Sequence, residues 1–309
     1  MENGRGSAVP GSSRAWSAPA SILIGFVYIA GYGVLYLGAT MLSALALPRL
    51  APGAPKWAFS VSHGVLWIAS VALVTWLMRS KLNRRPWAGM ATPLPPTLGR
   101  FPLGFVAGAA LLLAVFAVQF GLGWLRVTGI DSLSMAWPRA ALGLFPSLGV
   151  GFCEEIAFRG YILQTLGERM PAWAAVLLTA LIFALFHFTL GGFGPGFVVT
   201  VMGLSLVFTI LRFATGSLWF PMGLHAAWDW TQTFLVGVGN VGARPGHDPA
   251  LVHVAQGGPG LWVGQAPSIE GGLIYALAAA AALAAAWAYA AARGRLPRWG
   301  LPLRPDGTQ

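Results

Sequence analysis

Charge is the scarcest property of this chain. Only 9% of its 309 residues are Asp, Glu, Lys or Arg, where a soluble domain carries about a quarter. So sparse a polar surface excludes a water-soluble globule of this length. Cysteine is nearly missing too. Cys153 stands alone, which excludes an internal disulfide framework and a multi-cysteine zinc site. No segment repeats at a fixed period and none marks a second domain, so repeat arrays are excluded. The alternating segments of about ten residues that build a membrane β-barrel are also lacking.

What is present is apolar. Hydrophobic residues make up 56% of the chain, and the mean hydropathy is +0.69. Many runs reach the roughly 20 residues needed to cross a bilayer core of about 30 Å. The expected fold is therefore all-α: a polytopic transmembrane helical bundle of about eight spans in the cell membrane. The spans fall near 20–47, 58–78, 102–125, 139–166, 172–190, 194–211, 217–237 and 269–292. Together they form one transmembrane domain over 20–292. It is flanked by a disordered N-terminal tail (1–19) and a basic C-terminal tail (293–309). Between the seventh and eighth spans runs a loop rich in glycine and proline. It holds His247 and His253, which read as solvated.

The net charge of +10 does not point to nucleic acid. The basic residues gather at the ends of apolar runs, where membrane orientation and anionic headgroups explain them. Thirteen of them fall in loops on the side of both termini and five on the other, so both termini are expected to be cytoplasmic. The partners implied are the lipid bilayer and a membrane-associated peptide or protein. The chain does not indicate an oligomeric state.

A charge at mid-bilayer costs at least about 2.5–3.5 kcal/mol on insertion scales, so each needs a reason. Glu154, Glu155 and Arg159 lie in the fourth span, His187 in the fifth, and His225 and Asp229 in the seventh. Glu155 and Arg159 are four apart and face each other along a helix. Glu154 is rotated about 100° from Glu155 and is free to point into the bundle. His225 and Asp229 share one face of their helix. Two uses of this set stay open. His187, His225 and Asp229 can hold a divalent metal such as zinc. Alternatively, Glu154 can act directly as general base while the histidines position water or an oxyanion. Either route activates water within a membrane. His63 reads as packing or as a pore-facing hydrogen bond. Cys153 lacks the base and lowered pKa that a nucleophile needs. One difficulty remains in the spacing. At 1.5 Å per residue, His187 lies roughly 24 Å into its span but His225 only about 12 Å into its own, so tilt, a late helix start or a broken helix must bring them level.

The motifs "EEIAFR", "FALFH" and "HAAWD" match EExxxR, FxxxH and Hxxx[N/D] in order on three spans. Over about residues 140–237 the chain resembles the CPBP (Abi) family of intramembrane proteases, which includes CAAX prenyl endopeptidases and bacteriocin-processing or self-immunity proteins. The resemblance implies a hydrolase, an endopeptidase of membrane-associated substrates, acting in CAAX-type or peptide-maturation processing. It implies Glu154 as the glutamate that activates water, Glu155 and Arg159 as its support, and His187 and His225 as essential histidines. Asp229 stands where many members have asparagine. Members have been described as metalloproteases and also as glutamate-dependent without bound metal. The competing readings are a membrane immunity or scaffold protein that does not cut its partner, and a proton-coupled transporter.

Overall fold

The computed structural model describes residues 18–50, 56–92, 97–188, 194–238, 250–264 and 269–305. Nearly all of the expected N-terminal tail, His247 and the last four residues lie outside the described residues.

Ten helices among these residues set the architecture. They are α1 (Ala18–Leu50), α2 (Lys56–Trp76), α3 (Arg100–Gly121), α4 (Leu133–Glu154), α5 (Leu163–Gly167), α6 (Ala172–Phe188), α7 (Pro195–Thr215), α8 (Trp219–Trp230), α9 (Gly260–Val263) and α10 (Leu273–Ala292). Six helical stretches are long and apolar enough to cross a membrane. These are Pro19–Leu42, Val61–Leu82, Arg100–Gly121, Trp137–Gly167, Pro195–Thr215 and Leu273–Ala292. The helices α6 and α8, which carry the two motif histidines, are shorter at 17 and 12 residues. Large apolar side chains such as Leu23 and Val34 stand exposed on α1, at 65% and 72%. An apolar exterior of this kind is what lipid, rather than water, accepts.

The core forms around α7, which packs against α6, α8 and α10 and is the most buried of the six candidate spans, at 72%. The most extensive helix pairing is α3 with α8, and absent side chains let the two backbones approach. A Cβ on Gly104 or Gly108 would strike the α8 backbone at Phe220 or Leu224, and one on Gly223 would strike Phe101 of α3. Small residues spaced four apart allow such backbone contact, the main source of helix attraction in lipid. Gly151 of α4 meets α8 in the same way, its missing Cβ lying 2.7 Å from Met222 O. Thus α8 is clamped from two sides directly beside His225.

One correction to the all-α expectation concerns the loops. Leu125–Ile130 (β1) and Val252–Gln256 (β2) pair antiparallel, from Leu125 opposite Gln256 to Ile130 opposite Val252, with an irregularity between Val127 and Gly129. Sequence periodicity assigned the start of β1 to the third span and β2 to a featureless loop. Backbone groups outside the bundle still need partners, and pairing the two segments supplies them. Asp131, just after β1, accepts a hydrogen bond from His253 Nε2 at 3.1 Å and pairs with Arg139. Those two neighbours, His253 first, hold its carboxyl below the usual aspartate range. His253 is therefore a bonded residue of the sheet rather than a solvated loop residue.

At the opposite end the basic C-terminal segment folds back. Leu301 O and Trp299 O accept the amides of Ala172 and Trp173 at 3.0 and 3.3 Å, and the Leu303 amide donates to Gly167 O at 2.7 Å. The first amides of a helix have no partner within it, so the tail completes the start of α6. Beneath it, buried Arg79 pairs with Glu168 at 2.6 Å and donates to Pro305 O at 2.9 Å.

Candidate active site

Glu154 is the last residue of α4, and the helix continues as a π-helical segment over Glu155–Ile162. Wider turns of this type recur at functional sites. Glu155 and Arg159, both fully buried, pair at 2.9 Å as the spacing predicts. Arg159 lies between the rings of Phe183 and Phe208, 4.1 and 4.9 Å from their centroids. Those faces offset the loss of water around the guanidinium, whose Nε and Nη2 have no hydrogen-bond partner among the described residues.

The same Glu155 Oε1 lies 2.9 Å from His225 Nδ1. A carboxylate accepts, so Nδ1 carries the hydrogen. His187 Nδ1 lies 2.8 Å from Phe183 O and by the same logic donates to it. Both imidazoles are thereby pinned at Nδ1 and turn Nε2 toward one point. Phe208 stacks on the His225 ring at 4.9 Å and 15°, fixing its plane. At that common point sits Glu154, 4% exposed. Its Oε2 lies 3.9 Å from His187 Nε2 and 3.8 Å from His225 Nε2, and it has no hydrogen-bond partner among the described residues. Those gaps are too long for direct hydrogen bonds and suit one bridging water.

Three motifs thus meet in space. The depth mismatch between the histidines disappears because α8 starts inside the bundle. The turn before it is buried at Ser217 and Leu218, and the Leu218 amide donates to Ala91 O at 2.7 Å. His225 consequently reaches the level of His187 within a few residues.

A cavity of about 110 Å³ adjoins this cluster, with Glu154, His187, His225, Asp229 and Glu270 as its polar lining and Val201, Leu204 and Phe208 of α7 forming an apolar wall. Asp229 shares the cavity with His225, as their spacing predicts. Glu270 escaped the sequence reading. Its one signal was an acidic residue heading the otherwise charge-free run "EGGLIYALAAAAALAAAWAYAAA". It sits in the 3-10 turn Ile269–Gly271, and its Oε1 accepts from Trp228 Nε1 at 3.1 Å and Gln232 Nε2 at 3.4 Å. His63 lies on α2 beside Trp67, their ring centroids 6.0 Å apart, and is not among the cavity's lining residues.

Residues 135–231 match the family model described as type II CAAX prenyl endopeptidase Rce1-like. The chain carries an Rce1-like domain. No curated protein and no solved structure matches it. The Rce1-like segment contains Glu154, Glu155, Arg159, His187, His225 and Asp229, and it ends before Glu270. Its six long apolar helices and its similarity to a membrane-protease family over residues 135–231 mark it as a multi-pass membrane protein.

The donor chemistry of the Rce1-like site includes what zinc takes, namely imidazole nitrogen and carboxylate oxygen, and both imidazoles are held at Nδ1 as metal-binding histidines usually are. The arrangement does not complete a ligand set. Among the described residues no three His, Cys, Asp or Glu side chains are grouped so as to hold a metal ion.

Proposed function

We propose that the protein is an intramembrane endopeptidase of CAAX type, in which Glu154 activates water directly. One observation carries this reading: an unpartnered, buried carboxylate oxygen sits within 3.9 Å of two imidazole nitrogens that are themselves fixed. Glu154 Oε2 takes a proton from water, and the resulting hydroxide adds to the scissile carbonyl carbon. The oxyanion that forms accepts a hydrogen bond from Nε2 of protonated His225, while His187 holds the water in line. Glu154 then returns the proton to the departing nitrogen as the C–N bond breaks. Glu155 and Arg159 touch none of the reacting atoms and act by fixing the His225 ring. The Rce1-like match supports a prenylated C-terminal peptide as substrate.

The reading further takes α6 and α8 as crossing the membrane, for eight spans in all, with both termini cytoplasmic. The concentration of basic residues at the end bearing Arg79, Arg85, Arg169 and Arg298 supports that orientation. No step requires a metal. Metal analysis of the purified protein beside His187→Ala checks this, and one equivalent of zinc that the substitution releases would overturn it.

The central test compares cleaved membrane peptides in cells carrying the native chain or Glu154→Gln, read by terminal proteomics. Removing a general base lowers turnover about 10²–10⁴-fold, so native-dependent termini should vanish. Their persistence at native levels would end the hydrolase reading and leave a binding or scaffold role.

A further inference from the structure

The mechanism above leaves Glu270 without a task, although it lines the reaction cavity and is 8% exposed. Its setting is built rather than incidental. Oε1 is braced by two donors from the α8 arm, Trp228 Nε1 and Gln232 Nε2. The turn that carries it is wedged against the start of α7, where a Cβ on Gly196 would strike Gly271 O. Ile269 beside it is buried. Its second oxygen has no hydrogen-bond partner among the described residues. Glu270 is thus a fixed acceptor with one oxygen unspent.

A peptide bond presents two polar groups to the site. The carbonyl oxygen is served by His225, and the N–H needs an acceptor. Glu154 is committed to the water. Asp229 has no bracing hydrogen bond among the described residues. A carboxylate already held in place orders its partner at less entropic cost.

Building on the hydrolase reading, we propose that Glu270 is a substrate-orienting residue whose free oxygen accepts the N–H of the amide being cleaved. No covalent step is involved. As Glu154 returns its proton, positive charge develops on the nitrogen and the contact with the carboxylate strengthens, so the interaction is worth most in the transition state. It also assigns a role in the reaction to a segment that lies beyond the Rce1-like match.

The test is a matched pair of probes offered to the purified full-length chain in lipid vesicles. One is a farnesylated CAAX-type peptide. The other is the same molecule with an ester in place of the scissile amide, which has no N–H to donate. Glu270→Gln keeps an oxygen for Trp228 and Gln232. It should lose about tenfold or more in kcat/KM on the amide, the scale of a hydrogen bond to a charged group, and stay within about twofold of native on the ester. A structural role would lower both alike. Equal losses, or an unchanged amide rate, overturn the assignment. If Glu270→Gln lowers the unfolding midpoint, Glu270→Asp keeps the charge at shorter reach and is read by the same amide-to-ester ratio. Glu154→Gln should abolish cleavage of both probes. A native chain that cleaves neither, or no faster than Glu154→Gln, removes the hydrolase reading and this assignment with it.

Discussion

Replacing Glu155 with glutamine keeps the size of the side chain and removes its charge. In the structure this carboxylate and Arg159 are both fully buried and 2.9 Å apart, and Glu155 also receives His225 Nδ1 at 2.9 Å. Removing one member of a buried pair leaves the other uncompensated and costs about 3–5 kcal/mol. The single variant Glu155→Gln should therefore be destabilised by about that amount. Arg159→Met in the same chain removes the stranded cation and places an unbranched apolar side chain between Phe183 and Phe208. The cost of the single variant comes from the uncompensated buried charge, and with that charge gone the double variant should recover most of the loss. Activity should not recover in full, because a neutral amide oxygen holds the His225 Nδ1–H more weakly than the carboxylate it replaces. Thermal unfolding in detergent, run as a double-mutant cycle alongside a cleavage assay, measures both quantities. A cost below about 1 kcal/mol for the single variant, or a double variant that regains full turnover, would refute the reasoning.

Three further outcomes are expected. Gly151→Ala puts a methyl 2.7 Å from Met222 O and 3.0 Å from Ala226 Cβ; it should cost about 1–3 kcal/mol and lower cleavage further by shifting Glu154 away from His225, whereas native turnover would deny that the close approach matters. The depressed Asp131 carboxyl contributes stability that is present above the ordinary aspartate value of about 3.9 and lost as pH falls through the lower folded value. The protection of β1 and β2 amides, measured relative to their intrinsic exchange rate at each pH, should therefore fall in acid, more in the native chain than in Asp131→Asn, and parallel profiles would contradict this. Deleting residues 299–309 removes two acceptors for the α6 amides and the buried Leu303. A loss of at least about 2 kcal/mol in stability is expected by unfolding, and an unchanged midpoint would show the tail to be idle.

The sequence made six long apolar helices legible because lipid demands long apolar runs, while the fifth and seventh of the eight expected runs fold as the shorter α6 and α8. It made Glu154, His187 and His225 legible because charge inside such runs is costly and therefore rare. What escaped it depended on contacts between distant segments. Glu270 lies far along the chain from Asp229, and only the packing of its turn against α7 brings it to the cavity. β1 and β2 are too short and too far apart for local pattern to pair them. Rise per residue left three ways to level His225 with His187, and choosing among them needed the contact that buries the turn before α8, where the Leu218 amide meets Ala91 O.

The length of α6 bears on how reactants arrive. Taken as a membrane span, as proposed, the seventeen described residues of α6 rise about 26 Å, less than the roughly 30 Å of a hydrocarbon layer, and His187 is the last but one of them. A membrane accommodates a short helix by thinning around it. Polar headgroups and their hydration would then be drawn down toward the imidazole, and a hydrolytic centre so positioned could be wetted from the thinned rim without a long aqueous shaft.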